Sequence, residues 1–191
     1  MLIGITGKTG SGKSTITKLL NKEDKYFVID VDKVNHSLIE ETTLKQDIID
    51  RYPETLEEGK INRKKLGMIL YQDKEKMSEY NKLVWSYLEQ KLDRLIETSK
   101  KTVIIDWMML PLTKYHKMCD VKILVDSSLE TRLERIKKRD NVDEVHFIAR
   151  DKNGVNYNNE EYDFIIKNER GFDKNEIESI RKCITLRKRK K

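Results

Sequence analysis

Gly7-Lys8-Thr9-Gly10-Ser11-Gly12-Lys13-Ser14 has one glycine, four intervening residues and then Gly-Lys-Ser, and it joins the apolar run Leu2–Thr6 to a segment with helical spacing at Ile16, Leu19 and Leu20. Strand, glycine loop and helix in that order predict a phosphate-binding loop. The glycines let the backbone fold back until successive N–H groups point at phosphate oxygens, and the following helix offers the same anion its positive N-terminal end. Gly7, Thr9, Gly10, Ser11, Gly12, Lys13, Ser14 and Thr15 are therefore the expected nucleotide contacts. Lys13 is expected to reach the β- and γ-phosphates of ATP, and the Ser14 hydroxyl to ligate Mg²⁺. Asn21-Lys22-Glu23-Asp24 spells a guanine-reading motif, but it stands a single helix after the loop instead of closing a late strand. Guanine specificity therefore has no support.

Further along, Tyr26–Asp30, Thr102–Asp106 and Val121–Asp126 are β-branched or aromatic runs that each end in aspartate, and Phe164–Lys167 is a weaker run of the same kind. Helical stretches separate them. That alternation predicts an α/β fold of three layers, a five-stranded parallel sheet flanked by helices, with ligand sites beyond the carboxyl ends of the strands. Residues 44–99 read as helical with one interruption at 53–62, and 74–99 carry one long amphipathic face through Tyr80, Leu83, Tyr87, Leu88 and Leu92. They are expected to form a helical insertion on the substrate side of a single domain whose core is 1–43 and 100–191. Residues 139–159 are crowded with charges and asparagine around Gly154, which suits a lid. A closing helix is expected over 173–186, followed by a basic tail from Arg187 to Lys191.

Composition bounds the class. The chain is 37% apolar and 38% charged with a formal charge of +6, so its surface carries many charges and suits an anionic partner. Cys119 and Cys183 have neither metal-ligand spacing nor a secretory leader before them, and are expected to be reduced thiols in a cytoplasmic protein. No apolar run approaches the ~20 residues of a membrane span. A chain of 191 residues leaves little room for the added domains of motor or transport ATPases, so a small kinase, working as a monomer, is the expected class.

The acidic strand ends supply the remaining chemistry. Asp32 follows the second run by two residues and is the candidate base that takes the proton of a hydroxyl acceptor; Asp30 is placed to support the loop or a metal-bound water, and capping of the next helix by this pair is the alternative. Asp106 stands where a carboxylate holds the metal or its water, or else simply turns the chain. Arg63 lies where a helical cover could direct a cation into the cleft, and an ordinary solvated residue is the alternative. Arg132, Arg135 and Arg139 share one helical face leading into the lid, where a guanidinium would neutralise charge on the transferring group; a solvated face shared with Glu130 and Glu134 is the alternative.

These segments together resemble the dephospho-coenzyme A kinase family over most of the chain. The likeness rests on Gly-Ser-Gly-Lys-Ser-Thr at 10–15, Val-Ile-Asp-Val-Asp-Lys at 28–33, Gly-Lys-Ile-Asn-Arg-Lys-Lys-Leu-Gly at 59–67, Arg-Ile-Lys-Lys-Arg-Asp at 135–140, and residues 162–168. The resemblance implies phosphorylation of the ribose 3′-hydroxyl of dephospho-CoA, with Asp32 as base, Arg63 on the substrate side and Arg139 in the lid near the nucleotide. Departures fall on the acceptor side: Trp85-Ser86 replaces a His-Pro pair, Met108-Met109-Leu110 and Leu112 replace a Pro-Leu-Leu run, and the lid is about one turn short and lacks its closing glutamine. Two other readings stay open: a nucleoside or deoxynucleoside monophosphate kinase, and an ATP-switched nucleic-acid-binding protein using the basic tail. No aromatic residue interleaves that tail, so nucleic acid is the less expected partner.

Overall fold

The computed structural model describes residues 1–140, 144, 147–148, 151, 155–158 and 160–189, without the side chains of 42, 71 and 140. They form two compact units, 1–30 with 99–191, and 31–98.

The first unit is built on β1 (Leu2–Thr6), β2 (Tyr26–Asp30), β5 (Thr102–Asp106), β6 (Val121–Asp126) and β7 (Phe164–Lys167), all parallel, in the order β2-β5-β1-β6-β7. Position in that order explains how strongly each run shows in the sequence. β1 and β5 lie inside the sheet and are buried at every residue, so they read as unbroken apolar runs. β2 and β7 are the edges and keep exposed positions such as Phe27 and Ile165, which is why β7 is the weakest run. The crossovers include α1 (Lys13–Leu20), α6 (Lys114–Met118) and α7 (Leu129–Asp140), and the unit closes with α8 (Lys174–Arg189).

Ile16 and Leu20 of α1 and Ile177, Ile180 and Ile184 of α8 pack with Ile3, Ile5, Ile104, Ile123 and Val125 of the sheet in one buried cluster. That core holds the start of α1 rigidly beneath the glycine loop. Asn21 caps the other end of α1: its N–H donates to Thr17 O, and its side-chain oxygen accepts from Tyr26 N at 2.9 Å. The guanine-like motif is thus the turn that feeds β2.

The second unit contains α2 (Val31–Leu38), α3 (Thr42–Arg51), a two-stranded antiparallel hairpin β3 (Leu56–Glu57) and β4 (Lys60–Ile61), α4 (Arg63–Gln72) and the long α5 (Lys74–Thr98). The interruption at 53–62 is therefore a short 3-10 turn plus this hairpin. Asn62 caps α4 by accepting from Lys65 N at 3.0 Å.

The basic tail needs correction. α8 runs to Arg189, and Arg187 is not a solvated tail residue: it donates to Asp120 O and pairs with Asp163 at 2.5 Å. Lys190 and Lys191 lie outside the described residues. Among the described residues no helix is long and apolar enough to cross a membrane. Cys119 and Cys183 are free thiols, and burial pushes the Cys119 thiol up to about 12, which leaves it protonated and unreactive.

Ile104 is fully buried at the centre of the sheet. Ile104→Ala removes three carbons from a packed site and is expected to destabilise the protein by about 2 to 5 kcal/mol, read as a lowered urea midpoint.

Candidate active site

The glycine loop hangs between the carboxyl end of β1 and the amino end of α1, and its shape depends on left-handed backbone that side chains resist. Gly7 has φ 142° and Gly12, the residue before α1, has φ 108°. A Cβ on Gly7 would collide with Val125 O, and one on Gly12 with Asn168 Nδ2, so both positions also touch neighbouring chain. Gly12 O accepts from Thr15 N at 3.0 Å and Ile16 N at 3.1 Å, which starts the helix. The Lys13 ammonium donates to Gly7 O at 2.8 Å and Lys8 O at 3.3 Å, and therefore stands across the mouth of the loop. Ser14 and Thr15 expose their side chains on the first turn of α1.

Asp106 ends β5 beside this turn. It is buried, and its Oδ2 accepts from Thr17 Oγ1 at 3.0 Å. Thr17 is three residues beyond Ser14, so the two hydroxyls neighbour each other on one side of α1. The structure thus brings Ser14, Thr17 and Asp106 onto the same short stretch of helix and strand. Among the described residues there is no cluster of three or more His, Cys, Asp or Glu side chains that could cage a metal. Mg²⁺ needs no such cage, because it keeps waters and phosphate oxygens and takes only one or two protein ligands. One exposed hydroxyl with a carboxylate behind it fits that requirement.

Arg132 and Arg135 are both engaged with the chain around the loop. Arg132 is 3% exposed; its Nε donates to Ser127 O at 3.1 Å, and its two terminal nitrogens grip both oxygens of Asp151 at 2.6 and 3.0 Å. Asp151 also takes the ammonium of Lys8 in the loop, at 2.9 Å. Arg135 turns toward the rear of the loop and is spent on backbone oxygens there, Gly10 O and Ser11 O among them, both at 3.3 Å. Neither is a solvated face residue: Arg132 is buried, and the half-buried Arg135 is turned against the loop. Arg139 is exposed in the last turn of α7. Most of the expected lid, 141–143, 145–146, 149–150, 152–154 and 159, lies outside the described residues.

Sequence reasoning did not single out Asp151, Ser127 or Asn168. No local pattern could have done so, since each is defined by a partner 19 to 157 positions away in the chain. On the departing segment after β5, Met108 O accepts from Thr6 Oγ1 at 3.1 Å and from Tyr157 OH at 2.9 Å, so backbone there anchors the loop's flank whatever the side chain. Burial raises the Tyr157 hydroxyl well above the usual tyrosine range and keeps it a donor.

Asp32 and Arg63 belong to the second unit and are joined there through α2. Asp32 is exposed in the first turn of α2, at the second helical position, two places past Asp30, the residue that precedes the helix. One turn on, His36 receives Arg63: Nη1 lies 2.6 Å from His36 Nδ1, and Nη2 donates to His36 O at 2.8 Å. Glu40 stands 3.9 Å from the same guanidinium. A histidine at this spacing from Asp32 was not foreseen, and it fixes the direction of Arg63.

Known proteins resemble this chain in sequence and in fold. A family model described as dephospho-CoA kinase matches residues 1–173. The dephospho-CoA kinase of Leptospira interrogans is 31% identical over 185 residues, covering 90% of this chain and 86% of the relative. That of Listeria innocua is 30% identical over 187 residues and covers 90% of each. Among solved structures, a Thermus thermophilus protein superposes with a TM-score of 0.79 at 22% identity, covering 97% of this chain and 96% of that one. The Campylobacter jejuni dephospho-CoA kinase superposes with a TM-score of 0.59 at 22% identity over the same shares. At that identity the two structures speak for the fold.

The Arg132 guanidinium holds the Asp151 carboxyl below its usual range, burial opposes the shift, and Lys8 reinforces it. A carboxylate whose folded pKa is depressed stabilises the fold above its unfolded value near 3.9 and loses that contribution as pH falls through the lower folded value. Asp151→Asn leaves Arg132 buried without its counter-charge and is expected to cost about 3 kcal/mol at pH 7. Urea titrations of the variant should also show a shallower loss of stability below pH 4 than the parent.

Proposed function

The chain belongs to the dephospho-CoA kinase family, and from that premise we propose that it transfers the γ-phosphoryl group of ATP to the ribose 3′-hydroxyl of dephospho-CoA. The observation that carries this reading is the intact glycine loop, with Lys13 across its mouth and α1 behind it, inside a family match that spans 1–173.

Each residue then has a task set by its chemistry. Backbone N–H groups of the loop and the positive end of α1 bind the phosphates, assisted by Gly7, Thr9, Gly10, Ser11, Gly12, Ser14 and Thr15. The Lys13 ammonium exchanges its two carbonyl partners for β- and γ-phosphate oxygens. Ser14 and Asp106 hold Mg²⁺, directly or through water, and the bound ion supplies neutralisation of the charge on those oxygens. Asp32 orients the acceptor hydroxyl and accepts its proton, a role suited to an exposed carboxylate at the start of a helix. Arg63, steered by His36, binds the acceptor, whose pyrophosphate is anionic. Arg139 supplies positive charge near the transferring group from the end of α7. The enzyme works as a monomer in the cytoplasm, where two free thiols stay reduced.

ADP release should be strongest with dephospho-CoA in a panel containing adenosine, other nucleosides and nucleoside monophosphates, each with ATP and Mg²⁺. Preference for a monophosphate would overturn the acceptor while leaving a kinase. Asp32→Asn is expected to lower kcat by about 10² to 10⁴ with MgATP binding retained, and retention of most turnover would remove Asp32 as base. Arg63→Ala should raise the KM for the acceptor by roughly tenfold, the scale of one lost charge-assisted contact, and leave that for ATP unchanged.

A further inference from the structure

We infer that Arg135 and Asn168 are positioning residues for nucleotide binding: they hold the Ser11 carbonyl on the rear of the glycine loop and thereby aim the Gly12 N–H at the phosphates. The inference rests on the kinase reading for its ligand, ATP, and not on the identity of the acceptor.

The geometry is local and dense. Ser11 is fully buried, and its carbonyl oxygen accepts from Asn168 Nδ2 at 2.7 Å and Arg135 Nη1 at 3.3 Å, with Ser127 Oγ also at 3.3 Å. A trans peptide is planar, so the Ser11 C=O and the Gly12 N–H point in opposite directions. An oxygen pinned behind the loop therefore fixes the next N–H in front of it. Gly10 O is held by the same Arg135 nitrogen at 3.3 Å, and the N–H across that peptide, Ser11 N, donates to Lys8 O at 3.1 Å. Two successive peptide planes are set in this way.

The donors are themselves fixed. Asn168 is 3% exposed, and its N–H donates to Asp126 O at 2.7 Å where the chain leaves β7. Its carbonyl accepts from Ser127 Oγ at 2.7 Å and Arg135 Nη2 at 2.9 Å. Arg135 also reaches Glu169 O at 3.3 Å, so one planar guanidinium joins the loop to the segment after β7. Gly12 packs so tightly on Asn168 that a Cβ would strike its amide nitrogen. Without these donors the two peptides are held less firmly, and the nucleotide must complete their ordering at the moment of binding.

Affinity for MgATP, measured directly with a fluorescent ATP analogue, tests the inference. In Arg135→Met and the near-isosteric Asn168→Asp the dissociation constant should rise by about ten- to a hundredfold, the scale of losing one of the hydrogen bonds that hold a buried carbonyl. At saturating ATP, kcat and the KM for dephospho-CoA should stay within about threefold of the parent, a split that general loss of structure does not produce. Arg135→Lys should group with the weakened variants, because one ammonium cannot span both segments. If Arg135→Met does not fold by circular dichroism, Asn168→Asp carries the same test. Dissociation constants within twofold of the parent in folded variants, equal losses toward both substrates, or full affinity in Arg135→Lys would each overturn the inference. Graded MgATP affinities in a series that fails to phosphorylate dephospho-CoA would support it and overturn the acceptor instead.

Discussion

A parallel strand delivers its chain to a crossover at its carboxyl end, and five such strands side by side put all those departures on one edge of the sheet. Everything chemical in the first unit follows from that constraint. Gly7 leaves β1, Asp106 closes β5, Asp126 and Ser127 leave β6, and Asn168 leaves β7, all at the same edge. Residues far apart in the chain become neighbours because the sheet register aligns Ile5 with Asp106 and Val125 with Ile166.

Within that edge, positive charge is divided between binding and bracing. Lys13 faces the loop's own carbonyls, an arrangement an anion can replace with little rearrangement. Arg132 and Arg135 face backbone and a half-buried carboxylate, where a rigid planar donor set suits several acceptors at once. A lysine could supply the same charge but not the same geometry. Identical side chains on one helix thus have different surroundings because the helix face turns inward at Arg132 and Arg135 and outward at Arg139.

The second unit carries the proposed acceptor-side residues on short elements. α2 puts Asp32 and His36 one turn apart, and the hairpin with its Asn62 cap starts α4 where Arg63 meets His36. The departures from the family pattern at Trp85-Ser86 fall on α5 of this unit, whereas Asp32 and Arg63 keep their places in the motifs that carry them.

All five strands, the loop and the long α5 were legible in the sequence, and Lys13, Ser14, Asp32, Arg63 and Asp106 could be named from it as candidates for the chemistry. Apolar periodicity and glycine spacing are local properties, and buried strands and a phosphate loop are made by local conformation. The tertiary structure alone decided which carbonyls Arg135 would hold, that Asp151 would bridge Lys8 to Arg132, and that Asn168 would seat Gly12. Those contacts arise when the sheet brings remote strand ends together, and no pattern within one segment encodes its partner's position. The same reason explains Arg187, which reads as a tail in a row of basic residues and becomes an ion pair only because α8 lays it beside Asp163.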